Sequence, residues 1–537
     1  MKRARRHPLP AIYALVAATA PGVVTADPAT QLPGQIQRGL ALIHEGKLPE
    51  GEEALRAYAA THPRSRPALV YAGVACWWQH ISELGSERAA ADAIDYFNRA
   101  LATGEVTDGS DVEALFEAGL SHMLLSHLYG AQGSVLKAAF EAKKGKALLE
   151  TAREKDPGNK DVGFALGAYD YYADRLPKVM KGVRAILRLP GGNASRGIQE
   201  LETTSREGKV FACEAALVLA DIYASNWEHK YVQGIDLVSA LVVRYPDNPF
   251  FLAGRADLWS EVGEHGKALE DIARARSLVA GEDTTLSVSL QSLEARIRDK
   301  GYETAAGVRL LEPVVTNRAA LLPKAQVQRL RFQLGEMYER LGELDKAKGV
   351  FEALTKEELD DRTEKRVDKK LGKSLESAGD SYRENQDAIT LLRSGSAAEA
   401  GETLGKRLEQ HPDDPVLLFL RAEAMTALGL HEKAKALYEQ AYTRAGEKFP
   451  WIGGWCLVRR GDRELAAGDR EQALQTYSKA LAIGRWSSDG VVNYRLGLAA
   501  SIPHPAEAGD AGPRPAPPPR APEEAKKDVS SGRRGAG

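Results

Sequence analysis

A glycine followed five residues later by a small residue, and nine later by a large apolar or aromatic one, recurs along this chain. Gly263–Ala268–Ile272–Ala275, Gly342–Ala347–Phe351–Leu354, Gly429–Ala434–Tyr438–Ala441 and Gly468–Ala473–Tyr477–Ala480 all carry it. Gly46–Gly51–Leu55–Tyr58–Pro63 and Gly395–Ala400–Leu404–Arg407–Pro412 add a closing proline, and Gly301–Ala306–Leu310–Pro313 reads as a degenerate copy. A glycine turn, a small residue where two helices touch and a large residue in their seam describe one helical hairpin, repeated. The pattern predicts an all-α superhelical solenoid. Solenoids present surfaces to partners, so it names a class of function and not a ligand.

Gly263, Gly301 and Gly342, and then Gly395 and Gly429, recur at roughly 34 to 40 residues, the range of helical-hairpin repeats. Pro63, Pro157, Pro246 and Pro412 stand where the chain must leave one hairpin and enter the next. Residues 32–249 read as a divergent helical-repeat block and 250–354 as a regular one. Residues 355–386, rich in Lys, Glu, Asp and Arg, read as a charged linking helix. Residues 387–500 carry the last repeats. From 501 to 537 the chain, with Pro513 and Pro515 to Arg520, lacks the apolar residues of a core and is expected to be a disordered tail.

The N-terminus belongs to a different pattern. Lys2, Arg3, Arg5 and Arg6 precede a short apolar run from Ala11 to Ala20, and Val24-Thr25-Ala26 offers small residues before Asp27. This is the form of a secretory signal over 1–26, placing the mature protein in a periplasm or outside the cell. An organelle transit peptide is the alternative reading. No later run is long enough for a membrane span. The formal net charge of −2 lacks the basic footprint of a nucleic-acid binder. The three cysteines, Cys76, Cys213 and Cys456, form no CxxC pair and read as small core residues.

The residues quoted above resemble the tetratricopeptide-repeat family. Leu418, Arg421, Ala422, Met425, Gly429, Ala434, Tyr438 and Ala441 fill one whole unit, and Arg331, Leu334, Gly335, Tyr338, Gly342, Ala347 and Phe351 fill another. A narrower resemblance covers residues 110–250. Gly133 to Ala138, Leu176-Pro177-Lys178 through Leu187, and Gly191 to Gly197 are similar to tetratricopeptide proteins of the inclusion-body-clearance family. That resemblance implies an adaptor without a catalytic centre. The apparent export signal departs from it, so a cytosolic role does not transfer.

No catalytic, cofactor or metal constellation emerges. Pro190 to Gly197 lacks the GxxxxGK[ST] of a phosphate loop and reads as a turn between helices. His122 and His127 lie five apart, which splays them by about 140° on a helix. Lys178, Lys181, Arg184 and Arg188 share one helical face, a candidate for anionic lipid, cell-wall polymer or an acidic partner.

The tetratricopeptide resemblance implies that the first helix of each hairpin lines a concave groove. Its candidate lining is Phe250, Asp257, Arg329, Phe332, Glu336, Glu339, Arg340, Phe419, Glu423, Trp455 and Asp462. Aromatic and charged residues together suit an extended peptide. The leading expectation is an exported, non-enzymatic scaffold or adaptor for a protein or peptide partner, with no cofactor. A peripheral envelope-binding protein is the second reading, and an enzyme with a disguised site the third. If the N-terminal pattern is a signal, the native protein begins at Asp27 on N-terminal sequencing. Recovery of the folded protein with Met1 intact would refute export.

Overall fold

Small residues at fixed intervals let two helices approach closely, and the computed structural model shows this contact repeated along the chain. It describes residues 32–82, 85–104, 111–176, 191–281, 284–377, 379–483 and 489–501. The N-terminal segment expected to be a signal, the basic stretch with Lys178, Lys181, Arg184 and Arg188, and the Pro-rich tail lie outside the described residues.

The described residues form 25 α-helices, mostly in antiparallel pairs. The first pairs are α1 (Gly34–His44) with α2 (Leu48–Thr61), α3 (Arg66–Ser82) with α4 (Glu87–Ala102), and α5 (Val112–Ala131) with α6 (Val135–Lys155). Then follow α7 (Val162–Asp174) with α8 (Ala194–Glu207), α9 (Ala212–Ala224) with α10 (Tyr231–Arg244), and α11 (Pro249–Glu261) with α12 (His265–Ser277). Next come α13 (Thr285–Lys300) with α14 (Thr304–Asn317), and α15 (Lys324–Arg340) with α16 (Leu344–Leu354). The segment 355–386 is not one helix: α17 (Asp361–Leu371) and α18 (Asp380–Glu384) are separated by a break. Their buried Val367 and Tyr382 anchor them to the solenoid. The chain ends with α19 (Gln386–Arg393) and α20 (Ala397–Gln410), α21 (Pro415–Ala427) and α22 (His431–Ala445), α23 (Pro450–Ala466) and α24 (Arg470–Ala482), and α25 (Asp489–Ser501).

Seven hairpins share one seam geometry. Gly39 faces Leu55, Gly335 faces Phe351 and Gly461 faces Tyr477, each pair sixteen residues apart. The same separation relates the buried pairs Ala256 and Ile272, Ala295 and Leu311, Ala388 and Leu404, and Ala422 and Tyr438. At three hairpins both helices carry glycine where they cross, and in α5–α6 a Cβ on Gly145 would lie 2.9 Å from the Gly119 carbonyl oxygen. A Cβ on Gly51 would lie 2.7 Å from the Gly39 carbonyl oxygen, and one on Gly197 would lie 2.5 Å from that of Gly167. Each of Pro63, Pro157, Pro246 and Pro412 sits just past a helix end, as the missing N–H and fixed φ of proline demand.

One unit departs from the expected register. The residue with positive φ in the α13–α14 turn is Tyr302, at +70°, and not Gly301. The seam residues shift with it to Gly307, Leu311 and Val314, while Pro313 falls inside α14 and closes nothing. His229 takes the same role in the α9–α10 turn, with φ +52°.

Ala434 is buried in the seam between α21 and α22. Ala434→Leu should overpack it and cost roughly 1–3 kcal/mol, read as a lower midpoint in chemical denaturation with an unchanged slope.

Candidate partner-binding site

Because first helices stand side by side along the solenoid, a carboxylate on one can reach a cation on the next. The chain uses this repeatedly. Asp257 of α11 accepts from Arg296 of α13 at 2.7 Å, and Glu261 of α11 pairs with Lys300 of α13. Asp299 of α13 pairs with Arg340 of α15. Glu336 of α15 lies 3.4 Å from Arg366 and 3.6 Å from Lys370 of α17, and Glu339 pairs with the same lysine. Further on, Arg459 of α23 grips Glu423 of α21 with two bonds of 2.8 Å, and Arg495 of α25 reaches Asp462 of α23 at 3.2 Å. The row binds neighbouring repeats to one another.

Burial opposes ionisation of Glu423, yet the Arg459 guanidinium overrides it and holds the carboxyl down at about 2. Two parallel charge-assisted bonds explain the reversal. His265, buried among Arg393, Lys300, Arg459 and Arg495, is driven well below the ordinary imidazole range by burial and then by those cations.

The hairpin turns fill much of the remaining space. The turn after α1 packs on α11: Asn248 donates to the His44 carbonyl at 2.9 Å, while its own Oδ1 caps α11 by accepting from Phe250 at 2.8 Å. His44 also meets Glu214 of α9 at 3.0 Å, and Trp78 donates to that carboxylate at 2.8 Å. The turn at Gly263 lies against the Trp455 ring. Arg495 donates to the Val262 carbonyl at 2.9 Å and meets Glu264 at 3.0 Å.

Tyr302 is held at both its ring and its backbone. Trp455 donates to its hydroxyl at 2.6 Å, and the Trp451 ring lies 4.7 Å away. Its carbonyl accepts from Tyr382 at 3.0 Å and from Gln386 at 3.1 Å. A non-glycine residue in the left-handed region costs about 1–3 kcal/mol and persists only where its surroundings over-determine it.

The groove residues expected from sequence are therefore distributed unevenly. Asp257, Glu423 and Asp462 are held in ion pairs, and Asp462 also accepts from Tyr477 at 2.8 Å. Trp455 is buried against the inserted turn. Phe419 is buried edge-on to Trp451, and Phe250 is half-buried beside the core. These positions pack against the protein itself, because its own turns occupy the face that a peptide would need.

The stretch between α15 and α17 is different. Arg329 is exposed, and Glu336, Glu339 and Arg340 are half-buried at the surface of their pairs. Phe332 is buried, with the Arg366 guanidinium 4.0 Å over its ring. Sequence reasoning missed Arg366 and Lys370. Their signal was a cation, Lys370, one repeat period after Glu336.

Asn193 caps α8 by accepting from Arg196 at 3.0 Å, which makes the glycine-rich stretch from Gly191 a helix-entry turn. His122 pairs with Glu141, whereas His127 accepts from Trp77 at 3.2 Å. Cys76, Cys213 and Cys456 are buried and unbridged, and burial pushes the Cys213 thiol up to about 12. Among the described residues no cluster of His, Cys, Asp and Glu is arranged to hold a metal ion, and no helix is long and apolar enough to cross a membrane.

No family model and no curated protein matches the sequence. Among solved structures, the chain is similar to a tetratricopeptide repeat protein from Parabacteroides merdae. The two share 18% identity over 54% of this chain and 99% of that one, with a TM-score of 0.22. It is also similar to human IFIT1, solved as a dimer with m7Gppp-AAAA, at 12% identity over 76% of this chain and 81% of that one, with a TM-score of 0.37. Yeast Tom70 matches at 12% identity over 88% of this chain and 91% of that one, with a TM-score of 0.30. The fold is tetratricopeptide-like. These likenesses concern the fold alone.

Glu423 ionises more readily folded than unfolded, so its stabilisation is complete above the ordinary glutamate range near 4.5 and disappears as pH falls towards 2. Glu423→Gln should cost roughly 3 kcal/mol at pH 7 and progressively less below pH 4, measured by denaturant unfolding across pH.

Proposed function

We propose that this chain is an exported, non-enzymatic scaffold that holds a protein or peptide partner in an extended form along α15 and α17. The observation that carries the proposal is the open end of the charged row. Arg329 is exposed, and the Glu336–Arg366–Lys370 cluster stays in contact with solvent above the buried Phe332 ring. Half-exposed pairs of both signs can exchange partners with a charged peptide at small cost, since solvent-exposed ion pairs contribute little. Fixed charges along a helix face then set its register.

On this reading residues 110–250 are kin of the inclusion-body-clearance tetratricopeptide proteins, supported by the motifs at 133–138 and 191–197 and consistent with an adaptor role. Export rests on the N-terminal pattern, and the absence of a nucleic-acid partner on the net charge of −2. A peripheral envelope contact through Lys178, Lys181, Arg184 and Arg188 is the second reading.

Affinity capture from the native envelope, with quantitative mass spectrometry of the wild type and an Arg329→Glu, Arg366→Glu double variant, tests the site. One or more partners recovered with the wild type should fall at least fivefold with the variant, while its unfolding midpoint stays within the range of surface changes. Equal recovery of every co-purifying protein would overturn the groove assignment.

A further inference from the structure

The α5–α6 hairpin is longer at its tip than α1–α2, α15–α16 or α23–α24. In the first hairpin the turn glycine Gly46 follows the seam glycine Gly39 by seven residues, and Gly342 follows Gly335, and Gly468 follows Gly461, at the same distance. In α5 the seam glycine is Gly119, packed against Leu149, and the turn comes only at Gly133, fourteen residues on. The extra seven residues are two helical turns, about 10 Å of added length relative to those three hairpins; the adjoining α3–α4 is also long, with Gly73 packed on Phe97 and its turn at Gly85.

That tip is apolar and exposed. Val135, Leu136 and Phe140 are 49%, 58% and 49% accessible, three of the most exposed large apolar side chains among the described residues. On α6, Leu136 and Phe140 are one turn apart and share an outward face with Lys143 and Lys144, both one to two turns behind them. Lys137 lies 5.5 Å over the Tyr129 ring. Between Glu117 and Glu141 the sequence holds no carboxylate, in a chain with 74 of them, and Glu141 itself is shared between His122 and, at 3.6 Å, Lys144, which leaves Lys137 and Lys143 as the outward cations. The first turn of α6 has no acidic residue and Ser134 makes no side-chain cap, so the positive dipole end carries no carboxylate at the tip.

The geometry points to this tip as a wedge that enters the interface of an anionic lipid bilayer. Charge complementarity selects the occupant: exposed Leu136 and Phe140 stand with the exposed Lys137 and Lys143 in a stretch without carboxylates, which suits an anionic headgroup layer. Apolar side chains entering the headgroup boundary by about 5–10 Å, with lysines reaching back to phosphates, form an interfacial anchor. The absence of carboxylates between Glu117 and Glu141 removes repulsion from an anionic surface. Neither α5 nor α6 is apolar enough to span the bilayer, so contact is peripheral. The tip is separate in sequence from the basic stretch at 178–188.

Flotation of the full chain with vesicles of phosphatidylcholine alone, and with vesicles mixing two parts phosphatidylcholine and one part phosphatidylglycerol, provides the test. The wild type should float with the anionic vesicles at low salt and much less at high salt. A Leu136→Ser, Phe140→Ser double variant should lose at least fivefold in the floated fraction. Because that variant could lose structure, Phe140→Cys labelled with an environment-sensitive dye gives a second readout; the three native thiols are buried and stay unlabelled. Its emission should shift to the blue on adding anionic vesicles. A wild type that does not float, a folded double variant that floats equally, or an unshifted dye would overturn the wedge. A fourfold reversal of Lys178, Lys181, Arg184 and Arg188 to Glu separates the two surfaces. If it abolishes flotation while the folded tip variant still floats, the basic stretch is the anchor and the tip is not.

Discussion

A helix can lie against another only as closely as the smallest side chains between them permit, and in this chain that steric limit sets the hairpin. Where Gly39 and Gly51 or Gly167 and Gly197 cross, the carbonyl of one helix occupies the volume of the other's missing Cβ. Large residues such as Leu55, Phe351 and Tyr477 then close the seam. Seven hairpins repeat the contact with one sixteen-residue separation and three with a longer one, and units so built, stacked with a small rotation, form a superhelix. Ion pairs and turn insertions act on a frame that the seam has already fixed.

Once the superhelix forms, residues remote in sequence meet. The α1 turn reaches Glu214 and Asn248, and the turns at Gly263 and Tyr302 enter the space beside Trp451, Trp455 and Tyr382. These contacts redirect the charged face. Asp257, Asp299, Glu423 and Asp462, which a simple solenoid would offer to a ligand, each bind a cation on the following first helix. Along α15 and α17, with Arg329 exposed and Glu336 shared between Arg366 and Lys370, the row remains open. The strained backbone of Tyr302 follows from the same packing: its left-handed conformation is held by two bonds to its carbonyl and one to its hydroxyl.

Most of the hairpins were legible because their determinants are local. A turn glycine, a small residue five later and a large one nine later all lie within one supersecondary unit, and the prolines at 63, 157, 246 and 412 punctuate it. The α13–α14 unit was misread by one residue because Gly301 looks like the turn glycine. The true turn residue is Tyr302, whose conformation is stabilised by Trp455, Tyr382 and Gln386, from hairpins far along the chain. The charged segment after Thr355 looked like one helix for a related reason. Its break between α17 and α18 is fixed by Val367 and Tyr382 docking separately. The apolar tip escaped notice because the exposure of Leu136 and Phe140 depends on which face of α6 turns onto α5, which Gly119, Gly145 and Leu149 decide only once folded.

The sequence by itself determined the all-helical repeat, the residues of its seams and the boundaries of most hairpins, since these depend on side-chain volume and backbone freedom within a single hairpin. It also determined which side chains lie on the first helix of each unit. Tertiary structure alone decided which of those remain available, because availability depends on what the superhelix brings opposite them from distant hairpins. Asp257 and Glu336 occupy equivalent positions on α11 and α15 and carry the same charge. One is buried against Arg296 and the other stays half-exposed, a difference set by the chain that packs over each.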